Sequence, residues 1–212
     1  MQKRIVCFGD SNTWGYDAEN EVRFSETVRW PCRLQQWLGD AYQVIEEGLM
    51  GRTSVCDDPL NEGLNALNYI YPCLKSHAPL ELVIIMLGTN DTKERFGLTA
   101  YNIAQGIARL ARKAERSESG QGSDTPHVLV VAPPRINPGY RHTDVNLSMG
   151  QNCDVKSHEF PVYLEQLLAG TGIDFLDASE EAAMNPIDCM HLTKDGHRSL
   201  AEHIFIRVRP LL

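Results

Sequence analysis

Short apolar runs alternating with longer stretches of helical period constrain this chain more than any other feature. A chain with that alternation buries its runs as the strands of one sheet and packs its helices on both faces. The pattern predicts strands near 4–8 (RIVCF), 42–46 (YQVIE), 82–87 (LVIIML), 127–132 (HVLVVA) and 173–176 (IDFL). Leu82–Leu87 and Val128–Ala132 are apolar throughout, as parallel strands covered on both sides require. Helices are expected near 28–39, 62–76, 99–116, 157–170 and 193–208, the last opened by Thr193 as N-cap with Asp195 in its first turn. Pro72 falls inside the second and predicts a break or kink there. Five strands with helical crossovers give an α/β, three-layer α/β/α sandwich with a parallel sheet of order 2-1-3-4-5. No composition shift marks a second domain, so residues 1–212 are expected to form a single domain.

Charge and composition narrow the function classes. Lys and Arg number 20 against 28 Asp and Glu, a net charge of -8 with the acids dispersed, which argues against a nucleic-acid groove or an anionic membrane surface. The longest strongly apolar run, Leu82–Leu87, is far short of a bilayer span and no early run is long enough for a secretory signal. Six cysteines stand at 7, 32, 56, 73, 153 and 189 with no close pair and no C-x-x-C, so free thiols in a reducing cytoplasm are expected.

Ligands of an open parallel sheet bind beyond the carboxyl ends of its strands. Four segments fall there or in the turn before the last helix: Gly9–Gly15, Glu47–Thr53, Gly88–Asp91 and Asp188–His191. Together they offer a serine, a histidine that can take its proton, a carboxylate to orient that histidine, and donors for a developing oxyanion. Asp-x-x-His occurs twice, also as Asp124–His127, but His127 opens a strand at the far edge of the sheet. Asp188 and His191 are therefore preferred. A metal site built from His191, His197 and His203 with Asp188 and Asp195 has poor helical spacing. Cys189 has no neighbour in sequence that would make it a thiolate nucleophile. Ser11 as a plain helix cap and Asn90-Asp91 as a plain Asx turn are the bland alternatives. A reading of another class, a non-catalytic nucleotide- or flavin-binding domain, would let Gly9–Gly15 cradle a phosphate. The loop lacks both phosphate-binding glycine patterns, and that reading gives Asp188 and His191 nothing to do.

The blocks Gly9-Asp10-Ser11, Gly51, Gly88-Thr89-Asn90-Asp91 and Asp188-x-x-His191 resemble the SGNH (GDSL-like) serine hydrolases, in order and spacing across essentially the whole chain. Gly9-Asp10-Ser11-x-Thr13-Trp14-Gly15, Val28-Arg29-Trp30, Glu46-Glu47-Gly48-Leu49-x-x-Arg52-Thr53, Asp57-Asp58-Pro59 and Leu82–Lys93 look like the mycobacterial arylesterase/acyltransferase subgroup. The resemblance implies a flavodoxin-like SGNH hydrolase fold, with Ser11 as nucleophile, His191 as base and Asp188 as its partner. It implies an oxyanion hole from the N–H groups of Ser11 and Gly51 and the amide of Asn90, with no metal or organic cofactor. Asn12 stands where the family usually has Leu or Ile, and Cys189 where Gly often follows the aspartate; Asn12 and Trp14 are the substrate-pocket candidates. The implied function is hydrolysis of short-chain, above all acetyl, esters through an acyl-serine, with transfer to alcohols as well as water and carbohydrate deacetylation as the alternative. The expected partners are a small-molecule ester and an alcohol or water acceptor, with no nucleic acid and no membrane. The subgroup also suggests a homo-oligomer. Segment 133–152, long and Pro-rich after a core strand, carries no match.

Overall fold

The computed structural model describes residues 2–179 and 182–212. Five strands, β1 (Lys3–Gly9), β4 (Tyr42–Gly48), β5 (Leu82–Met86), β6 (His127–Ala132) and β7 (Asp174–Asp177), form a wholly parallel sheet in the order β4-β1-β5-β6-β7. Counted among themselves in chain order, these strands run 2-1-3-4-5, as the sequence pattern predicts. Two more, β2 (Tyr16–Asp17) and β3 (Val22–Arg23), make a small antiparallel hairpin after α1 (Ser11–Trp14). Sequence periodicity misses it because two residues a side carry no period; its signal is the polar turn Asp17–Glu21, where the Asp17 carboxylate accepts from Glu19 N–H and the Asn20 amide.

The strands send alternate side chains to opposite faces. Val6, Phe8, Val83, Ile85, Val128 and Val130 pack against α3 (Ala66–His77), α4 (Ala100–Glu115) and α6 (Cys153–Leu168). Ile5, Cys7, Ile84, Met86, Leu129 and Val131 pack against α2 (Trp30–Leu38) and α7 (Lys194–Val208). Apolar burial on both faces holds the three layers together, at about 25 cal/mol per Å² removed from water. The helices start where their caps lie. Thr99 and Asn102 form a reciprocal capping box on α4, and the Thr193 hydroxyl accepts from Gly196 N–H on α7.

Of the break or kink expected at Pro72, the break does not occur. The helix runs through it from Ala66 to His77, because Ile70, Cys73 and Leu74 are buried on the core side while Pro72 faces solvent. Tertiary packing there outweighs the one lost N–H donor. The helix also begins at Ala66 rather than near 62, since Asn65 caps it by accepting from Leu67 N–H. Segment 133–152 carries two short turns of its own, Pro138–His142 and α5 (Asn146–Met149), and α6 starts at Cys153 rather than near 157. Among the described residues no helix is long and apolar enough to cross a membrane.

Candidate active site

The carboxyl end of β1 leads directly into α1, whose N-cap is Asp10: its carboxylate accepts from Asn12 N–H at 3.0 Å. Ser11 is therefore the first residue of the helix rather than its cap, and it is buried. Asp10 is wholly enclosed, and burial raises its carboxyl to about 6 against the opposing pull of Asn12 N–H and nearby positive groups. One of its oxygens, Oδ2, has no partner among the described residues. Two glycines let neighbouring chain come this close. A Cβ on Gly48, at the end of β4, would lie 2.2 Å from Trp14 N, so β4 meets α1 backbone to backbone. Gly88 has φ 133, and a Cβ there would meet the Phe160 ring at 2.6 Å.

His191 arrives from the turn before α7. Its Nε2 is 2.8 Å from Ser11 Oγ and its Nδ1 is 2.6 Å from Asp188 Oδ2. Asp188 is 5% exposed; burial pushes its carboxyl up, but the bond and charge of His191 and the N–H groups of Met190 and His191 outweigh that and hold it at about 2. It is thus a carboxylate at any working pH. Asn185, which the sequence reading missed, shapes this turn: its amide donates to Asp188 Oδ1 and His191 O and accepts from Ile187 and Asp188 N–H. Its signal was the Asn185-Pro186 dipeptide, a turn initiator. Cys189 sits at φ 63, in the left-handed region, which gives a physical reason for the glycine often found there. Burial raises its thiol, away from a thiolate role.

The loop after β4 lies against the end of β1. Leu49 N–H and Arg52 Nη1 both donate to Gly9 O, and Arg52 also bonds Glu47 O. The Arg52 guanidinium is stacked 4.1 Å over the Phe8 ring. Gly51 stands in the left-handed region with φ 80. Beyond β5, Asn90 opens a single 3₁₀ turn, and Asp91 fixes it by accepting from Ser54 N–H and Oγ. Burial raises the Asp91 carboxyl to about 6 despite those bonds. The Asn90 Nδ2 amide is buried and has no partner among the described residues. An unpaired buried donor is costly unless a ligand oxygen or water completes it.

A cavity of about 320 Å³ opens beside His191 and Asp188. Its walls are Tyr16 and Ala18 from the hairpin, Met50, Ile187, and Thr143–Val145 from the long Pro-rich segment, with Glu21 at the edge. Tyr16 packs edge-on to the His191 ring at 4.7 Å. The two pocket residues expected from sequence lie elsewhere. Asn12 is 1% exposed and both its amide atoms bond backbone, which turns it away from the cavity. Trp14 is half-buried beneath the Arg23 guanidinium, 5.3 Å from its ring.

The histidines of the weak metal reading separate. His197 is fully buried, with Nδ1 accepting from Trp30 N–H; burial, then the charges of Arg33, His191 and Arg29, push its imidazole down to about 3. His203 Nδ1 instead pairs with Ser199 O on its own helix. Among the described residues the metal-ligand types that do converge are Glu47, Cys73 and His77, within 4.8 Å, where His77 Nε2 pairs with Glu47 Oε1 at 2.8 Å.

With this geometry in view, the chain was compared with known proteins. A family model described as GDSL-like Lipase/Acylhydrolase matches residues 7–199. The M. smegmatis aryl esterase is 38% identical with a TM-score of 0.89, covering 99% of this chain and 100% of its own. Est24, a carbohydrate acetylesterase from Sinorhizobium meliloti, is 36% identical with a TM-score of 0.89 over the full length of both chains. No match was found among the curated proteins.

Proposed function

Because this chain belongs to the GDSL-like lipase/acylhydrolase family, we propose that it is a serine esterase acting on short-chain, above all acetyl, carboxylic esters. The reading rests on one observation: a histidine whose two ring nitrogens lie 2.8 Å from a serine hydroxyl and 2.6 Å from a carboxylate. His191 Nε2 takes the Ser11 proton as Oγ attacks the ester carbonyl, and Asp188 holds the Nδ1–H tautomer and balances the imidazolium. The Asn90 amide, with the N–H groups of Ser11 and Gly51, receives the charge that forms on the carbonyl oxygen; the orphaned state of Asn90 Nδ2 supports this role. His191 then returns the proton to the leaving alcohol, and the acyl group stays on Ser11 until water or a second alcohol removes it. The nucleotide-binding alternative gives this hydrogen-bonded chain no task.

Two finer points of the proposal concern the acceptor. Transfer to alcohols follows from the subgroup resemblance, and it needs only that an alcohol reach the acyl-serine. Deacetylation of carbohydrates is the second reading. It is favoured by Thr143, Asp144 and Glu21 beside the site, which can hydrogen-bond hydroxyls, and by the likeness to the acetylesterase named above. The proposal further takes residues 1–212 as one catalytic domain, working as a homo-oligomer in the cytoplasm. Support for the location is the spacing of the cysteines, four of them buried as thiols.

An acyl-chain series of p-nitrophenyl esters, run with and without added alcohol, tests the reading. Acetate should turn over fastest and octanoate slowest, and alcohol should divert product from the acid to a new ester. Ser11→Ala should abolish turnover with the fold intact; turnover that survives in that variant rules the nucleophile out.

A further inference from the structure

The residue after the nucleophile is an asparagine whose side chain is entirely committed to the histidine turn. Asn12 Nδ2 donates to Met190 O at 3.1 Å, and Asn12 Oδ1 accepts from Leu192 N–H at 3.0 Å. One amide thus grips the backbone on both sides of His191. The contact is buried: Asn12 is 1% exposed, Met190 4% and Leu192 1%. Asn12 itself is fixed from below, since it lies in α1 and its N–H bonds the Asp10 carboxylate.

The other bonds that shape the turn come mostly from within it. Asn185 and Asp188 bond the backbone of residues 187, 188, 190 and 191 and set the internal fold of the turn. Asn137 N–H holds Cys189 O, which ties the turn to the long Pro-rich segment and not to the serine. The two Asn12 bonds and the Ser11–His191 bond itself are what join the turn to the nucleophile helix.

We propose that Asn12 is a positioning residue that sets the distance between Ser11 and His191 by clamping the backbone on either side of the histidine. It touches no reacting atom. Its effect is to hold Nε2 within hydrogen-bond reach of Oγ, where a displacement of about 1 Å costs on the order of 10²-fold in rate. This rests on the serine-esterase reading above.

Asn12→Ala removes both bonds, and Asn12→Asp keeps the acceptor for Leu192 N–H while losing the donor to Met190 O. Both are measured beside Ser11→Ala, with p-nitrophenyl acetate as substrate, for kcat and KM separately, for the rate of labelling by a fluorophosphonate, and for thermal unfolding. The expected result is a fall in kcat of about 10- to 100-fold in Asn12→Ala and a smaller fall in Asn12→Asp, KM within about twofold, and a parallel fall in labelling rate. A purely structural role would lower the unfolding temperature without that split. Should Asn12→Ala not fold, the near-isosteric Asn12→Asp decides alone. A folded Asn12→Asp with wild-type kcat and labelling rate overturns the proposal, as does a rise in KM with kcat unchanged. Loss of turnover in Ser11→Ala alongside full activity in both Asn12 variants sinks the clamp only; turnover surviving in Ser11→Ala sinks the serine reading beneath it.

Discussion

At the scale of single residues the site joins Ser11, His191 and Asp188 by hydrogen bonds and leaves a buried donor unused. That donor is Asn90 Nδ2, which has no partner among the described residues. On the proposed oxyanion role, Asn90→Ala should lower kcat by about 10²–10³-fold with little change in KM, because that role stabilises charge that exists only in the transition state. Steady-state kinetics on p-nitrophenyl acetate measures it, and an effect confined to KM would remove Asn90 from that role. Ser11, Asp188 and His191 could be read from sequence because each sits just past a strand or in the turn before the last helix, where topology alone brings chains together. The cavity wall could not. Tyr16, Met50, Thr143 and Ile187 are ordinary residue types in ordinary contexts, made neighbours by folds that local pattern does not encode. Asn12 failed in the opposite direction: its place beside the serine suggested a pocket wall, whereas its amide is spent on the backbone of residues 190 and 192.

Between elements, the contacts that matter are backbone against backbone. β4 reaches α1 at Gly48, where the nearest atoms to an added Cβ are Trp14 N, Trp14 Cα and Thr13 C, none of which can rotate away. Gly48→Ala should destabilise the protein by about 1–3 kcal/mol and move α1, with loss of esterase activity beyond what stability explains. Denaturant unfolding together with activity at a temperature well below the transition checks this; a fully active, fully stable variant would show that the strand and helix have slack. The central strands β5 and β6 were legible because parallel strands covered twice are apolar almost throughout, and the edge strands β4 and β7 by short apolar cores between polar residues. The hairpin at Tyr16–Arg23 was not, being too short to have a period. Pro72 misled because a local rule about a missing N–H was weighed without the buried Ile70, Cys73 and Leu74 that hold α3 together.

Across the whole molecule, one parallel sheet gathers four distant stretches of chain at its carboxyl edge. Ser11 and His191 are 180 residues apart yet hydrogen-bonded. The sheet topology made that closure predictable from the positions of the four segments, and the family match over residues 7–199 spans all of them. All of the proposed chemistry depends on Ser11 as the activated nucleophile. Its most direct test is the intact protein treated with a fluorophosphonate, digested and mapped by mass, beside His191→Ala. One adduct per chain, located on Ser11 and formed far more slowly without the histidine, is the predicted result. No adduct, an adduct on another residue, or labelling indifferent to His191 would contradict it.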